Sequence, residues 1–182
     1  MKYLIFNKPY GVLCQFTDQS GRPTLKDYID IGGIYAVGRL DMDSEGLLLL
    51  TDDGKLNDLL SSPFNKQFKT YLAQVEGLPT EEMMKKLRSG ILIQGSRTMP
   101  AQAGILREPP ALWPRTKPIR FRKSIPTSWI EIKICEGRNH QVKKMTAAVG
   151  LPCLRLVRTA IGPIELGNLK PGEYEEINRP QI

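Results

Sequence analysis

The chain lacks most markers of secreted, membrane-spanning and metal-dependent proteins. Three cysteines occur in 182 residues, Cys14, Cys135 and Cys153, and none stands in a C-x-x-C pair. An odd, widely spaced set supplies neither a disulfide framework nor a zinc site, so the thiols read as reduced core residues of a cytoplasmic protein. His140 is the only histidine, so a Ser-His-Asp or Cys-His mechanism would have to run through that residue. No apolar run approaches the ~20 residues of a membrane span. The opening stretch Met1–Pro9 is too short and too polar for a secretory signal. A G-x-G-x-x-G dinucleotide fingerprint, internal repeats and low-complexity segments are also absent.

What is present is an ordinary globular balance, 41% hydrophobic and 25% charged residues, which argues against disorder. Lys plus Arg exceeds Asp plus Glu by 26 − 19 = 7. The excess is clustered. Arg107, Arg115, Lys117, Arg120, Arg122 and Lys123 share a Pro-rich stretch with Trp113 and Phe121, opposed only by Glu108. Arg138, His140, Lys143, Lys144, Arg155 and Arg158 form a second group, with no acid from Arg138 to Arg158. Basic groups mixed with aromatics suit a phosphate backbone with unstacked bases. Charge alone describes a solvated basic face equally well, and it does not separate RNA from DNA.

Local patterns give a coarse fold. Strands are expected at Tyr3–Phe6, Val12–Phe16, Ile34–Val37, Gly46–Thr51, Lys69–Gly77, Ile91–Ile93 and Trp129–Ile134, with short ones near Cys153–Val157 and Tyr174–Ile177. The four leucines Leu47–Leu50, bounded by glycines, suggest a buried strand. A helical turn or two is expected within 24–29. Helices are expected at Lys55–Leu60, stopped near Pro63, at Glu81–Arg88 behind the N-cap Thr80, and at Asn139–Val149. Glu108–Pro126 holds Pro109, Pro110, Pro114, Pro118 and Pro126 and reads as a loop. Strands outnumber helices, and most connections are too short for right-handed crossovers. The pattern predicts an α+β fold with a largely antiparallel sheet.

One acidic segment stands out in this basic chain: Asp41-Met42-Asp43-Ser44-Glu45-Gly46. Asp41, Asp43, Glu45 and Gly46 fall where a calcium loop needs ligands and a turn. Position twelve, however, is Asp52 rather than a bidentate Glu, and the second half is leucine. Calcium is therefore set aside. Asp43 or Ser44 can cap backbone N–H groups at the turn, and a carboxylate on a loop after a strand can act as nucleophile or base.

The segment has company. Gly38-Arg39-Leu40-Asp41-x-Asp43-Ser44-Glu45-Gly46 with the leucine run and Thr51-Asp52-Asp53-Gly54 resembles the catalytic motif of pseudouridine synthases, in the branch that modifies ribosomal RNA. Phe6-Asn7-Lys8-Pro9-Tyr10-Gly11-Val12 is similar to that family's opening motif, and Lys69-Thr70-Tyr71 to its K-x-Y motif. Glu136-Gly137-Arg138-Asn139-His140-Gln141-Val142-Lys143-Lys144-Met145 is similar to its third motif, and Leu154-Arg155-Leu156-x-Arg158-x-x-Ile161-Gly162 to the closing one. Leu112–Arg115 and Arg122–Trp129 resemble members that act on the large subunit. The motifs keep the family's order and cover nearly the whole chain. The resemblance implies that family's catalytic fold, a mostly antiparallel mixed sheet flanked by helices and loops. It implies one catalytic domain over 1–182, or two subdomains sharing one continuous sheet. The S4-type RNA-binding domain that many members carry is not expected before Tyr3.

The implied reaction breaks the N1–C1′ bond of a uridine in RNA, turns the base and joins C5 to C1′. It is redox-neutral and calls for no cofactor and no metal. By this resemblance Asp41 is the catalytic carboxylate, either attacking the sugar or acting as base at C2′. Lys143 is its charged partner, and Tyr71 lies on the uracil face with a share in proton movement at C5. Arg39 holds the duplex open or grips phosphate beside the flipped base, and Leu156 packs beneath the base. Arg138, His140, Lys144, Arg155 and Arg158 are candidates for phosphate contacts. The expected partner is ribosomal RNA, 23S ahead of 16S, with no membrane, and the protein is expected to be a monomer. The competing reading is a non-catalytic RNA-binding or ribosome-assembly module on the same fold. Such a module should have lost one of Asp41, Tyr71 and Lys143, and all three are present.

Overall fold

The computed structural model describes residues 1–62, 67–119 and 122–182. Pro63, the expected helix stop, and Arg120 and Phe121 of the basic stretch lie outside the described residues. The fold is α+β, with a mixed, mostly antiparallel strand arrangement. The chain forms two compact units, one of residues Met1–Gln67 with Arg158–Ile182 and one of Phe68–Val157.

In the first unit β1 (Tyr3–Lys8) lies between β3 (Glu45–Thr51) and the late strand β11 (Tyr174–Glu176). The β1–β3 pairing is antiparallel, running from Tyr3 opposite Thr51 to Lys8 opposite Gly46. β2 (Tyr35–Val37) also pairs with β3. The leucine run forms the buried strand expected of it: Leu47, Leu48, Leu49 and Leu50 are all sealed from solvent. Leu48 and Leu50, with Leu4 and Phe6, pack beneath Val12, Leu25, Ile29 and Ile34. A strand covered on both faces has no polar side to alternate with, which is why it reads as one apolar block.

Val12–Phe16 is not a strand. It makes a single isolated bridge, Leu13 to Thr24. Its alternation arises because Val12, Cys14 and Phe16 point into the same core, while its backbone bonds run to Pro23 and from Leu25. The helical turn within 24–29 is a 3-10 turn at Leu25–Asp27. α1 (Gly54–Ser61) starts at the cap Asp53, whose carboxylate accepts from Leu56 N–H at 3.2 Å. Asp53 also accepts from the Tyr3 hydroxyl at 2.9 Å and lies 3.4 Å from Arg179 Nε. The Leu56 N–H bond holds the Asp53 carboxyl below its ordinary range. Burial, then Asp53, pushes the Tyr3 phenol up.

In the second unit β8 (Thr127–Ile134) lies between β4 (Lys69–Glu76) and β7 (Gln102–Ile105). Tyr71 stands opposite Ile132 and Ala73 opposite Ile130. These residues, with Val75 and Ile134, form its buried face. α2 (Glu81–Arg88) begins as expected at Thr80, whose hydroxyl accepts from Met83 N–H at 3.3 Å. β5 (Leu92–Ile93) returns as β6 (Ser96–Arg97) through Gln94 and Gly95, both at positive φ. β6, β7 and, in the first unit, β10 (Ile164–Glu165) are not anticipated, since two to four residues carry too few alternations to register a period. α3 (Gln141–Ala148) starts two residues after Asn139, because His140 is left-handed at φ 51° and cannot continue a helix. β9 (Cys153–Ile161) begins in this unit and ends in the first.

Leu48→Ala empties a fully buried site, and the lost contacts plus the cavity are expected to cost about 3 kcal/mol. A lower urea midpoint with an unchanged slope would register it.

Candidate active site

The candidate residues divide between the two units. Asp41, Arg39 and Arg158 belong to the first. Asp41 is half-buried in the loop joining β2 to β3, and Arg39 beside it is exposed. The loop is held from within and from below. Ser44 N–H donates to Asp41 C=O at 3.0 Å, and the Ser44 hydroxyl lies 3.5 Å from Asp41 Oδ2. Leu40 N–H donates to Cys14 Sγ at 3.2 Å. Met42 C=O accepts from Gly11 N–H at 2.8 Å and from Lys8 Nζ at 3.2 Å. Ser44 and Glu45 are buried.

Lys8 is the residue that sequence reading missed. It is fully buried, and burial lowers its ammonium to about 8, against the opposing pull of Cys14, Glu45, Asp43 and Asp41. A lysine within a turn motif carries no sequence signal that it is buried. Cys14, read only as a core thiol, accepts a backbone hydrogen bond next to Asp41. Burial pushes its thiol up.

Arg158 is also buried. Its Nε donates to Leu47 C=O at 2.8 Å, and one terminal nitrogen has no hydrogen-bond partner among the described residues. The side chain is therefore built against β3 rather than displayed on the surface.

Tyr71, Arg138, His140, Lys143, Lys144, Arg155 and Leu156 belong to the second unit. Tyr71 and Leu156 are buried. The Glu136–Gln141 turn closes on itself around Glu136. One Glu136 oxygen accepts from Met99 N–H at 2.8 Å and Gln141 Nε2 at 2.6 Å, and the other lies 3.2 Å from Arg138 Nε. Gln141 Oε1 accepts from Arg138 N–H at 2.9 Å. This ring of bonds shapes the turn at which His140 adopts its left-handed conformation. Lys143 follows, half-buried, in the first turn of α3.

Three residues expected to meet phosphate donate hydrogen bonds to other parts of the protein. Arg138 donates to Ser96 Oγ at 2.7 Å and Arg97 C=O at 2.7 Å, fastening the β5–β6 hairpin. Lys144 donates to Asn139 C=O at 2.7 Å. Arg155, only 8% exposed, donates to Trp113 C=O at 2.9 Å and stacks 5.8 Å from that ring's centre. Arg115 reaches Leu154 C=O at 3.2 Å. These two arginines strap the Pro-rich loop to the start of β9. His140 is exposed.

Two outcomes test this geometry. Lys8 gives up its proton near pH 8 in the folded protein and near 10.5 in the unfolded chain. Between those values the unfolded state binds more protons, so stability rises with pH by up to about 1.4 kcal/mol per unit. The unfolding free energy of the wild type minus that of Lys8→Met should climb across this window in urea titrations, and a flat difference refutes the burial cost. Arg155→Ala should release the strapped loop, giving several-fold faster trypsin cleavage after Arg115.

The sequence model described as RNA pseudouridylate synthase matches residues 2–148. The chain is 52% identical over 179 residues to the ribosomal large subunit pseudouridine synthase E of Vibrio vulnificus, covering 98% of this chain and 76% of that protein. It is 34% identical over 185 residues to the ribosomal small subunit pseudouridine synthase A of Escherichia coli, covering 100% of this chain and 72% of that protein. A crystal structure of a pseudouridylate synthase superposes with TM-score 0.81 at 33% identity, over 97% of this chain and 70% of that one.

Proposed function

The chain belongs to the RNA pseudouridylate synthase family, and we propose that it isomerises one specific uridine of 23S ribosomal RNA to pseudouridine, with Asp41 as the reacting carboxylate. The observation that carries the 23S assignment is the 52% identity, across 98% of this chain, to a synthase named for the large ribosomal subunit. The small-subunit relative stands at 34%.

The chemistry follows from what the reaction needs. The N1–C1′ bond breaks, the detached uracil turns, C5 bonds to C1′, and the proton displaced from C5 moves to N1. No net oxidation occurs. The target must first leave its stack, at a cost of a few kcal/mol. Asp41 supplies an ionised carboxylate, as nucleophile at C1′ or base at C2′. Its half-buried position and the hydrogen bonds flanking it support this reading, since a reacting carboxylate must be aimed as well as charged. Lys143 supplies the positive partner that keeps Asp41 ionised once RNA excludes water. Tyr71 lies against the uracil and assists removal of the C5 proton. Leu156 packs beneath the base, and Arg39, exposed on the Asp41 loop, grips the opened strand. Arg138 and Arg155 serve the RNA indirectly by holding the hairpin and the Pro-rich loop, and Lys144 by holding the turn before α3. His140, exposed at the head of α3, meets phosphate directly.

Unmodified 23S and 16S transcripts, treated with the protein and mapped by carbodiimide-dependent primer-extension stops, test the assignment. One new stop in 23S is expected, with activity falling at least about 1,000-fold in Asp41→Ala. A stop confined to 16S moves the substrate to the small subunit, and a stop undiminished in Asp41→Ala removes that residue from the chemistry. Tyr71→Phe should slow tritium release from C5-labelled uridine by about 10- to 100-fold at unchanged RNA affinity.

A further inference from the structure

The β5–β6 hairpin has two residues on each strand, yet it is fastened along its whole length. Leu92 pairs with Arg97 and Ile93 with Ser96. At its base Thr98 N–H donates to Ile91 C=O at 2.9 Å, and Ile91 N–H donates to the Thr98 hydroxyl at 3.0 Å. Gly90, at φ 83°, lets the returning strand close in, since a Cβ there would stand 2.4 Å from the Thr98 carbonyl oxygen. Arg138 ties Ser96 and Arg97 to the turn that carries His140.

Residues directly opposite in an antiparallel pair share a face, and the faces alternate along each strand. Ile93 is buried, and β5 packs against α3. Leu92 and Arg97 therefore stand together on the face opposite to Ile93. Leu92 is 64% exposed, so the core takes little from it. Arg97 is exposed too, and its Nη1 donates to Gly90 C=O at 2.8 Å. That bond fixes the guanidinium while using one of its five donors. The tip is Gln94 at φ 49° followed by Gly95 at φ 79°. Two-residue turns of this hand favour Asn-Gly or Gly-Gly. A glutamine there is strained, and it places an exposed amide, donor and acceptor both, at the tip.

The size of this surface selects its partner. A stable protein interface takes about 800 Å² from each side, far more than two side chains and a turn offer. One nucleobase fits. Its face packs on an apolar side chain and a guanidinium plane, and its edge pairs with an amide. We propose that the β5–β6 hairpin reads a nucleotide: Leu92 and Arg97 form a ledge for one unpaired base of the RNA outside the target uridine, and Gln94 meets that base's polar edge. The inference rests on RNA being the substrate.

The test compares wild type with Leu92→Ala, Arg97→Gln and Gln94→Gly, in steady-state tritium release from a [5-3H]uridine-labelled 23S transcript. In Leu92→Ala and Arg97→Gln, KM for RNA should rise about 5- to 20-fold with kcat within about two-fold. Gln94→Gly is the sharper variant. It relieves the left-handed strain, so a purely structural glutamine predicts an equal or firmer hairpin and unchanged kinetics. The proposal expects slow amide exchange in β5 and β6 beside a KM raised about 3- to 10-fold. A benzophenone amino acid placed at Leu92 should crosslink to one nucleotide, read as a single primer-extension stop away from the target. A wild-type KM in Leu92→Ala or in Gln94→Gly overturns the proposal, as do crosslinks scattered along the transcript. A raised KM accompanied by fast exchange throughout β5 and β6 also overturns it, because the hairpin is then only a support. A wild type that releases no tritium from either ribosomal RNA would sink the assigned reaction itself, whereas an active wild type beside unaffected variants sinks only the role of the hairpin.

Discussion

The register between β1 and β3 is the constraint on which the first unit rests. Leu47–Leu50 are sealed on both faces, so sliding β3 by one residue would exchange one leucine for another at little hydrophobic cost. Polar groups at the two ends of the pairing remove that freedom. At one end Lys8, opposite Gly46, has its three carbonyl partners. At the other, Thr51 stands opposite Tyr3 and its hydroxyl donates to Lys2 C=O at 2.6 Å. A slip would strip buried polar groups of their bonds, at a cost of roughly 1–3 kcal/mol each. The same register sets where the loop ahead of β3 emerges, and with it Asp41.

The basic residues divide by what their donors meet. Arg138, Arg155 and Arg158 resemble phosphate ligands in one dimension, yet each directs hydrogen bonds at main-chain carbonyls. Arginine suits that task, because its planar fork of five donors can hold a hairpin or a loop that has few backbone bonds of its own. Arg39 in the first unit and Arg107, Lys117 and Lys123 in the second are exposed. An RNA-modifying protein needs both kinds. Exposed cations raise the encounter rate with a polyanion, and internal ones hold irregular segments in shapes that can recognise an unpaired base.

Much of this was legible in the sequence, and the legible parts share a cause. The β4 alternation, the Thr80 cap and the apolar block of β3 depend on neighbours a few positions apart, so a window of sequence contains the signal. The Asp41 loop was also visible, as an acidic turn in a basic chain within an ordered set of motifs. Tertiary packing decided what no window contains. It made Val12–Phe16 core-filling loop instead of strand. It paired segments as short as β6 and β10, and it turned several apparent phosphate contacts inward. Lys8 and Met42 are 34 positions apart. Their bond exists only because the register of two strands brings a turn and a loop to the same carbonyl, and an ammonium reads the same in sequence whether it ends in water or in a core.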